Sequence, residues 1–382
     1  MEMQFFANAL SEICAHSLVA PGRLLRWIII ANPTAGGFTI RSRWKKCRKI
    51  LEEYLEAAGK NPLRDNCAPA AAATEFALGS ELAFNGLILT DGQGAATRMA
   101  DALVKEAEAA FFAMPHDAKT DEKPFYLVIT AGGDGTSLEV LSVLYNTLES
   151  IRSNMAILRL PMGTGNDGAD SADLAKTLDL LIKPSRTELV PALRLQTAQH
   201  GSAVLNGPFL AFNVLSVGLD AFVTHMTNKM KGKLPGDFYK LWVDIAALLY
   251  DRLYKVGFLD VVARDDQGKK IQSFRDKILL LAVGVSGHRT YGSQKKILPD
   301  DRNVCAVKQM SLFRKIALKG LFTTGEHIHK PESNLFNACR IEFSGEHPIL
   351  AQMDGETVLL QQGDFPASIE LTDPAIPILK LL

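Results

Sequence analysis

One stretch, Phe125 to Val140, constrains this chain more than any other. Phe125 to Thr130 are apolar, β-branched and aromatic, the pattern of a strand buried on both faces. From Ser137 onward Leu138, Leu141, Tyr145 and Leu148 recur on one helical face. Thr136 stands three residues before Glu139, the spacing of a capping box. Between strand and helix lie Gly132, Gly133, Asp134, Gly135 and Thr136. Glycines in such a run let the backbone approach a bulky ligand and adopt positive φ. The helix start behind them offers free N–H groups and a positive dipole end. This is chemistry for a phosphate. The same residues also suit a tight turn with no ligand.

The pattern repeats on either side. Trp27 to Ile30 reads as a first strand running into a loop at Asn32 to Gly37, then a helix from about Arg43 to Ala58. Leu87 to Thr90 is a short strand before a helix that runs through Ala110. Met155 to Leu160 is the next strand, and its loop holds Gly163, Thr164, Gly165, Asn166 and Asp167. Ser171 is placed to cap a helix with Leu174, Leu178 and Leu181 on one face. Strand alternating with helix implies a doubly wound parallel sheet with helices on both faces. Ligands of such sheets bind beyond the carboxyl ends of the strands, where all three Gly-rich loops lie.

The texture changes after Pro184. Residues 189–197, 203–217, 256–264 and 277–285 read as strands, with helical patterns at about 236–254 and 309–320. The expected architecture is α/β + β. An N-terminal nucleotide-binding α/β domain, residues 1–184, takes back a tail at 372–382, and residues 185–371 form a C-terminal β-sandwich. Asp354 and Gly355 sit between apolar runs, which by itself signals a hairpin turn.

Net charge is formally zero, so nothing points to nucleic acid as a partner. The charge is uneven, however. Residues 225–330 hold 20 Lys and Arg against 10 Asp and Glu, either a solvated surface or a face for an anionic substrate or lipid. Within it, residues 308–322 set Met310, Phe313, Ile316 and Leu321 on one side and Lys308, Lys315 and Lys319 on another. Such a helix can lie on a membrane or simply cover a sheet. The five cysteines have no zinc-ligand spacing and suit reduced thiols in a cytosolic protein. A signal peptide is not expected, since Glu2 stands where a basic region would.

Assembled in order, these motifs resemble the diacylglycerol kinase catalytic-domain family. That superfamily includes bacterial lipid kinases and sphingosine kinases, with NAD kinases and phosphofructokinases further off. Asn32, Pro33, Thr34, Ala35 and Gly36 are similar to its first nucleotide loop, and Gly132 to Thr136 with Glu139 to its signature loop. Gly163, Thr164, Gly165, Asn166 and Asp167 resemble the third loop; Asp354, Gly355 and Glu356 resemble the carboxylate motif of the second domain. Gly218 to Ala221 is similar to a segment the family has at its domain interface. The resemblance implies ATP held by Asn32, Gly133, Asp134, Gly135, Thr136, Gly163, Thr164 and Asn166. It also implies a general base at Asp354 with Glu356 beside it. Independently of the resemblance, phosphoryl transfer calls for Mg²⁺ bridging the phosphates, with Asp134, and Asp220 through water, the candidates to serve it.

Three departures lie near phosphate and substrate positions. Gly37 and Phe38 stand where the family carries Lys or Arg, so Arg41 or Arg43 has to substitute. Gly168 replaces a bulky apolar residue, and Tyr291, Gly292 and Ser293 replace a Gly-rich stretch before Pro299 and Asp300. The expected activity is transfer of the γ-phosphate of ATP to a hydroxyl of diacylglycerol or a related lipid. A kinase of a sphingoid base or soluble acceptor, and a non-catalytic nucleotide or lipid sensor, are the alternatives. Expected partners are ATP, a lipid with a free hydroxyl, an anionic membrane surface and a second copy in a homodimer. The expected location is cytoplasmic and peripherally membrane-associated.

Overall fold

The computed structural model describes residues 2–59, 84–115, 119–163, 166–198, 209–230, 250–291 and 295–382. The chain divides into two compact units, Met1–Val190 with Pro374–Leu382, and Pro191–Asp373.

The first unit holds α1 (Glu2–Ala15), β1 (Leu25–Ala31), α2 (Gly36–Thr39), α3 (Arg41–Gly59), β2 (Gly86–Leu89) and α4 (Ala95–Phe112). After them come β3 (Phe125–Gly132), α5 (Asp134–Asn146), α6 (Glu149–Arg152), β4 (Met155–Pro161), α7 (Leu174–Ile182) and β5 (Ser185–Val190). The tail strand Ile376–Leu381 inserts between β4 and β5, giving the order β2-β1-β3-β4-tail-β5. β1 to β4 and the tail run parallel, while β5 lies antiparallel to the tail. That pairing carries the first unit on to Val190, beyond the Pro184 boundary read from sequence.

Side chains alternate across the strands. Trp27, Ile29, Leu127, Ile129 and Leu158 share a core with Phe6 and Leu10 of α1, Leu51 of α3 and Leu178 of α7. Ile28, Ile30 and Val128 are equally buried on the opposite face. The N-terminal residues therefore form a helix of the core, with Phe6 edge-on to Phe38 at 4.9 Å.

Two local expectations are corrected. α5 starts at Asp134, not Ser137, so Thr136 lies inside the first turn and caps nothing. Glu139 instead accepts the Gly94 and Thr97 N–H groups at 2.9 and 3.1 Å, holding the free N-terminus of α4. At α7 the cap is Asp173, which accepts the Ala175 N–H, rather than Ser171.

The second unit comprises β6 (Leu193–Gln196), β7 (Phe209–Ala211), β8 (Val214–Gly218), α8 (Leu219–Met230), α9 (Tyr250–Leu253), β9 (Phe258–Arg264) and β10 (Lys270–Gly284). Then follow β11 (Arg289–Tyr291), β12 (Lys295–Leu298), β13 (Val304–Lys308), α10 (Leu312–Thr324), β14 (Ser333–Phe336) and β15 (Arg340–Gly345). β16 (Ile349–Met353), β17 (Glu356–Leu360) and β18 (Ala367–Leu371) complete it. The main path is β17-β16-β8-β10-β9-β15-β18-β6-β7, with β13 and β14 branching from β10.

Every pairing here is antiparallel. β10 serves both halves: Lys270–Lys277 pair with β9, and Leu280–Gly284 pair with β8. The halves share one core through Leu195, Val217, Val261, Leu281, Phe343, Met353 and Ile369. This is the expected β-rich sandwich. Most of the helix read at 236–254, and the start of the strand read at 203–217, lie outside the described residues.

On α10 residues of the apolar side are exposed and one lysine of the other side is buried. Phe313 is 84% exposed and Ile316 51%, whereas Lys315 is 6% exposed. The Lys315 ammonium meets Asp251 at 2.7 Å, so its stem packs inward beside buried Leu318. Met310 packs into the domain instead of joining an outer stripe. No helix among the described residues is long and apolar enough to cross a membrane.

Candidate active site

β1, β3 and β4 end in register, with Ala31 opposite Ala131 and Gly132 opposite Pro161. Their three loops therefore leave the sheet at one edge, and hydrogen bonds join them. Asn32 N–H donates to Ala131 O at 2.9 Å, and Gly37 N–H to Met162 O at 2.7 Å. Gly168 N–H donates to Asp134 Oδ1 at 2.9 Å. Arg43 reaches Gly163 O at 3.1 Å, so of the two arginines offered as substitutes it is the one tied to the third loop.

Within the first loop Asn32 Oδ1 accepts from both the Thr34 N–H and hydroxyl, an Asx turn that fixes Pro33 and leaves Gly36 to open α2. Within the third, Asn166 Oδ1 accepts the Gly163 N–H at 2.7 Å. Thr164 and Gly165 lie outside the described residues. In the second loop Gly132 is required by packing, because a Cβ there would come 2.5 Å from Thr136 Oγ1. Gly135 faces open space at the α5 N-terminus.

Asp134 sits where the loops meet. Burial pushes its carboxyl above the ordinary range, against the Gly168 N–H bond, and the neighbouring Asp167 charge pushes the same way. A Cβ at Gly168 would lie 3.2 Å from Asp134 Oδ1, so the glycine admits this close approach. Beneath the third loop Arg159 of β4 pairs with Asp170 at 2.7 Å, with side chains only 10% and 5% exposed. Sequence reading passed over this pair; an Arg inside an apolar strand was the available signal.

In the second unit Asp354 and Gly355 form the β16–β17 turn with φ of 46° and 107°. Both central residues are positive, as a type I′ turn requires. The Asp354 carboxylate accepts backbone N–H groups from Phe212, Asn213 and Val214, the last at 2.9 Å. Glu356 is exposed at the start of β17.

Asp220 opens α8 after Gly218. Gly218 has a φ of +93°, and a Cβ there would meet Leu279 O at 2.5 Å, so the position has room for glycine alone. Asp220 Oδ2 accepts from Ser216 Oγ at 2.7 Å. Asp354 lies beside Val214 at the start of β8 and Asp220 follows its end at Gly218, both in one unit, whereas Asp134 belongs to the other. No group of three or more His, Cys, Asp or Glu among the described residues converges as a metal-binding set.

The sequence profile of the diacylglycerol kinase catalytic domain matches residues 98–192, which span the second and third loops. Over those residues the chain is similar to that catalytic domain. The "Probable lipid kinase YegS-like" protein of Cronobacter sakazakii is 24% identical over 235 residues, 60% of this chain and 71% of that one. Its counterpart in Enterobacter sp. (strain 638) is 26% identical over 236 residues, with the same coverage. A solved structure from Bacillus anthracis, named as a diacylglycerol kinase, superposes with TM-score 0.54 at 19% identity over 92% of this chain and 94% of its own. A second from the same organism gives 0.50 at 18%, over 92% and 96%. At such identities the structures establish the fold alone. Within the diacylglycerol kinase match lie Asp134, Asp167, Arg159 and Asp170, so the closure of the third loop is part of the matched segment.

Proposed function

We propose that the chain is an ATP-dependent lipid kinase, transferring the γ-phosphate to a hydroxyl of diacylglycerol or a related lipid. The observation that supports it most is the meeting of three loops at the carboxyl ends of β1, β3 and β4, with a helix N-terminus behind the second. Phosphoryl transfer depends mainly on positioning and on neutralising charge. The N–H groups at the start of α5 face the nucleotide phosphates, and Arg43 stands at the third loop. The Asp354 carboxylate accepts the proton of the acceptor hydroxyl, with Glu356 secondary. Incubation with γ-labelled ATP and vesicles tests this: label extracted with the lipid supports it, and label that stays in the aqueous phase for every lipid offered counts against it.

A hard cation fits Asp134 better than the wider set read from sequence. Mg²⁺ commonly takes one or two carboxylates plus phosphate oxygens. Asp134 with Asp167 beside it supplies two carboxylates whose mutual repulsion a cation relieves. When bound, the ion would neutralise charge on the phosphates. Without nucleotide, Asp134 instead costs stability. Its folded pKa lies above the unfolded value, so its contribution is favourable at low pH and is lost as pH rises through the folded value. Asp134→Asn should therefore melt at or above the wild-type temperature at neutral pH while losing the Mg²⁺-dependence of ATP affinity. A variant with wild-type Mg²⁺-dependent affinity would take Asp134 out of the site.

The lipid surface is met through α10. Leu312, Phe313 and Ile316 are exposed together on a helix with three basic residues and no acidic one. An exposed apolar stripe on such a helix suits insertion at the headgroup boundary. Burying a Phe or Ile side chain gives about 1.5–3 kcal/mol each. Phe313→Glu with Ile316→Glu should weaken sedimentation with phosphatidylglycerol vesicles at least roughly tenfold, since 1.4 kcal/mol is a factor of ten. Unchanged sedimentation would place the membrane contact elsewhere.

A further inference from the structure

Ser216 and Gln352 are polar residues in otherwise apolar strands, and neither carries any measurable exposure. They face each other across β8 and β16. The Gln352 amide is read on both sides. Its Nε2 donates to Ser216 Oγ at 2.9 Å, to Val214 O at 3.3 Å and to Asp220 Oδ2 at 3.5 Å. Its Oε1 accepts the Gly355 N–H at 3.1 Å. Because Ser216 gives its hydroxyl proton to Asp220, its oxygen is left to accept from Gln352, and the orientation of the amide follows. One side chain therefore links the Asp220 carboxylate to the turn that carries Asp354. Asn228 of α8 adds a second hold on that turn, donating to Gly355 O at 2.7 Å.

We propose that Gln352 is a positioning residue that fixes the Asp354–Gly355 turn against Asp220 through Ser216. This rests on the kinase reading for its catalytic consequence, but the mechanical link stands on the hydrogen bonds alone. A buried amide with both ends satisfied is costly to disturb and leaves few alternative arrangements for the groups it joins. Neighbouring polar residues at such positions ordinarily suggest nothing beyond satisfied strand packing. Here the chain of donors and acceptors runs from the Asp220 carboxylate to the Gly355 N–H of the turn, and that ties the turn's position to Asp220.

Gln352→Leu preserves bulk while removing both hydrogen-bonding ends. Displacing a reacting group by about 1 Å costs on the order of 10²-fold in rate. We expect kcat to fall by roughly that factor with KM for ATP unchanged, since the nucleotide loops belong to the other unit. Ser216→Ala is the gentler variant: it removes the bonds to Asp220 and from Gln352 but keeps the Gln352–Gly355 bond. It should lower kcat, with a lower melting temperature because Asp220 and Gln352 each lose a buried partner, and the double variant should be no slower than Gln352→Leu alone. Amide hydrogen exchange at Gly355 should accelerate in Gln352→Leu, whether or not a lipid acceptor is found. Unchanged Gly355 exchange overturns the positioning role outright. Faster exchange with wild-type kcat, or losses that simply multiply in the double variant, overturns its catalytic consequence. Wild-type protein that phosphorylates no lipid defeats the kinase reading instead, and the exchange result then still decides the link.

Discussion

Asp354→Asn is expected to leave a folded protein whose turnover is lower by roughly 10²–10⁴-fold, the usual contribution of a general base. An Asn-Gly pair suits a type I′ turn as well as Asp-Gly does, so the turn itself tolerates the change. The backbone donors do not. Phe212, Asn213 and Val214 all give N–H groups to the carboxylate, and the amide nitrogen of Asn cannot accept one. Leaving a donor unpaired costs about 1–3 kcal/mol, so a lower melting temperature should accompany the change. Activity must therefore be measured at a temperature where melting curves show the variant fully folded. Glu356→Gln, at an exposed site, should cost less in both respects. A folded Asp354→Asn protein that keeps most of its turnover would leave Asp354 as a structural turn residue.

The second large effect is on stability. Asp170→Ala should lower unfolding free energy by about 3–5 kcal/mol, because it leaves the Arg159 guanidinium buried without its partner. Three contacts are lost together, since Asp170 also takes the Arg159 N–H at 2.6 Å. Removing both charges, as Arg159→Met with Asp170→Leu, should recover much of the loss, because a buried ion pair is often no better than apolar packing of similar volume. Urea unfolding of the three proteins checks this. A single variant within about 1 kcal/mol of wild type would mean that water reaches Arg159 and screens it as at a surface.

The nucleotide unit was legible because its signals are local. β3 is a run of buried β-branched and aromatic residues, and the glycines after it mark the turn directly. The tail strand was also readable from its apolar run. What failed depended on partners far along the chain. Glu139 has capping-box spacing from Thr136, yet its carboxylate serves a different helix, which no local pattern records. Lys315 reads as an outward charge until Asp251 supplies a partner for it inside. With Lys315 and Leu318 turned inward, the helix rotates Phe313 and Ile316 to the outside.

The candidate site was legible in part. The three loops and the Asp-Gly turn are short motifs, and the structure brings the described loop residues together at one edge. Ser216 and Gln352 were missed, although each interrupts an apolar strand, Ser216 between Leu215 and Val217 and Gln352 between Ala351 and Met353. A polar residue at an inward position of a strand predicts a buried hydrogen bond, but not which group receives it. Asp220, named as a metal candidate, joins Ser216 and Gln352 through its side chain.

The central claim is chemical, and the mass of the acceptor decides it most directly. Purified protein, ATP, Mg²⁺ and mixed vesicles containing diacylglycerol and related hydroxyl lipids are incubated, and the extracted lipids are weighed by mass spectrometry. A lipid that gains one phosphate group with wild-type protein, and does not with Asp354→Asn, is the predicted result. No phosphorylated lipid from any acceptor, under conditions where the protein binds ATP, would contradict it.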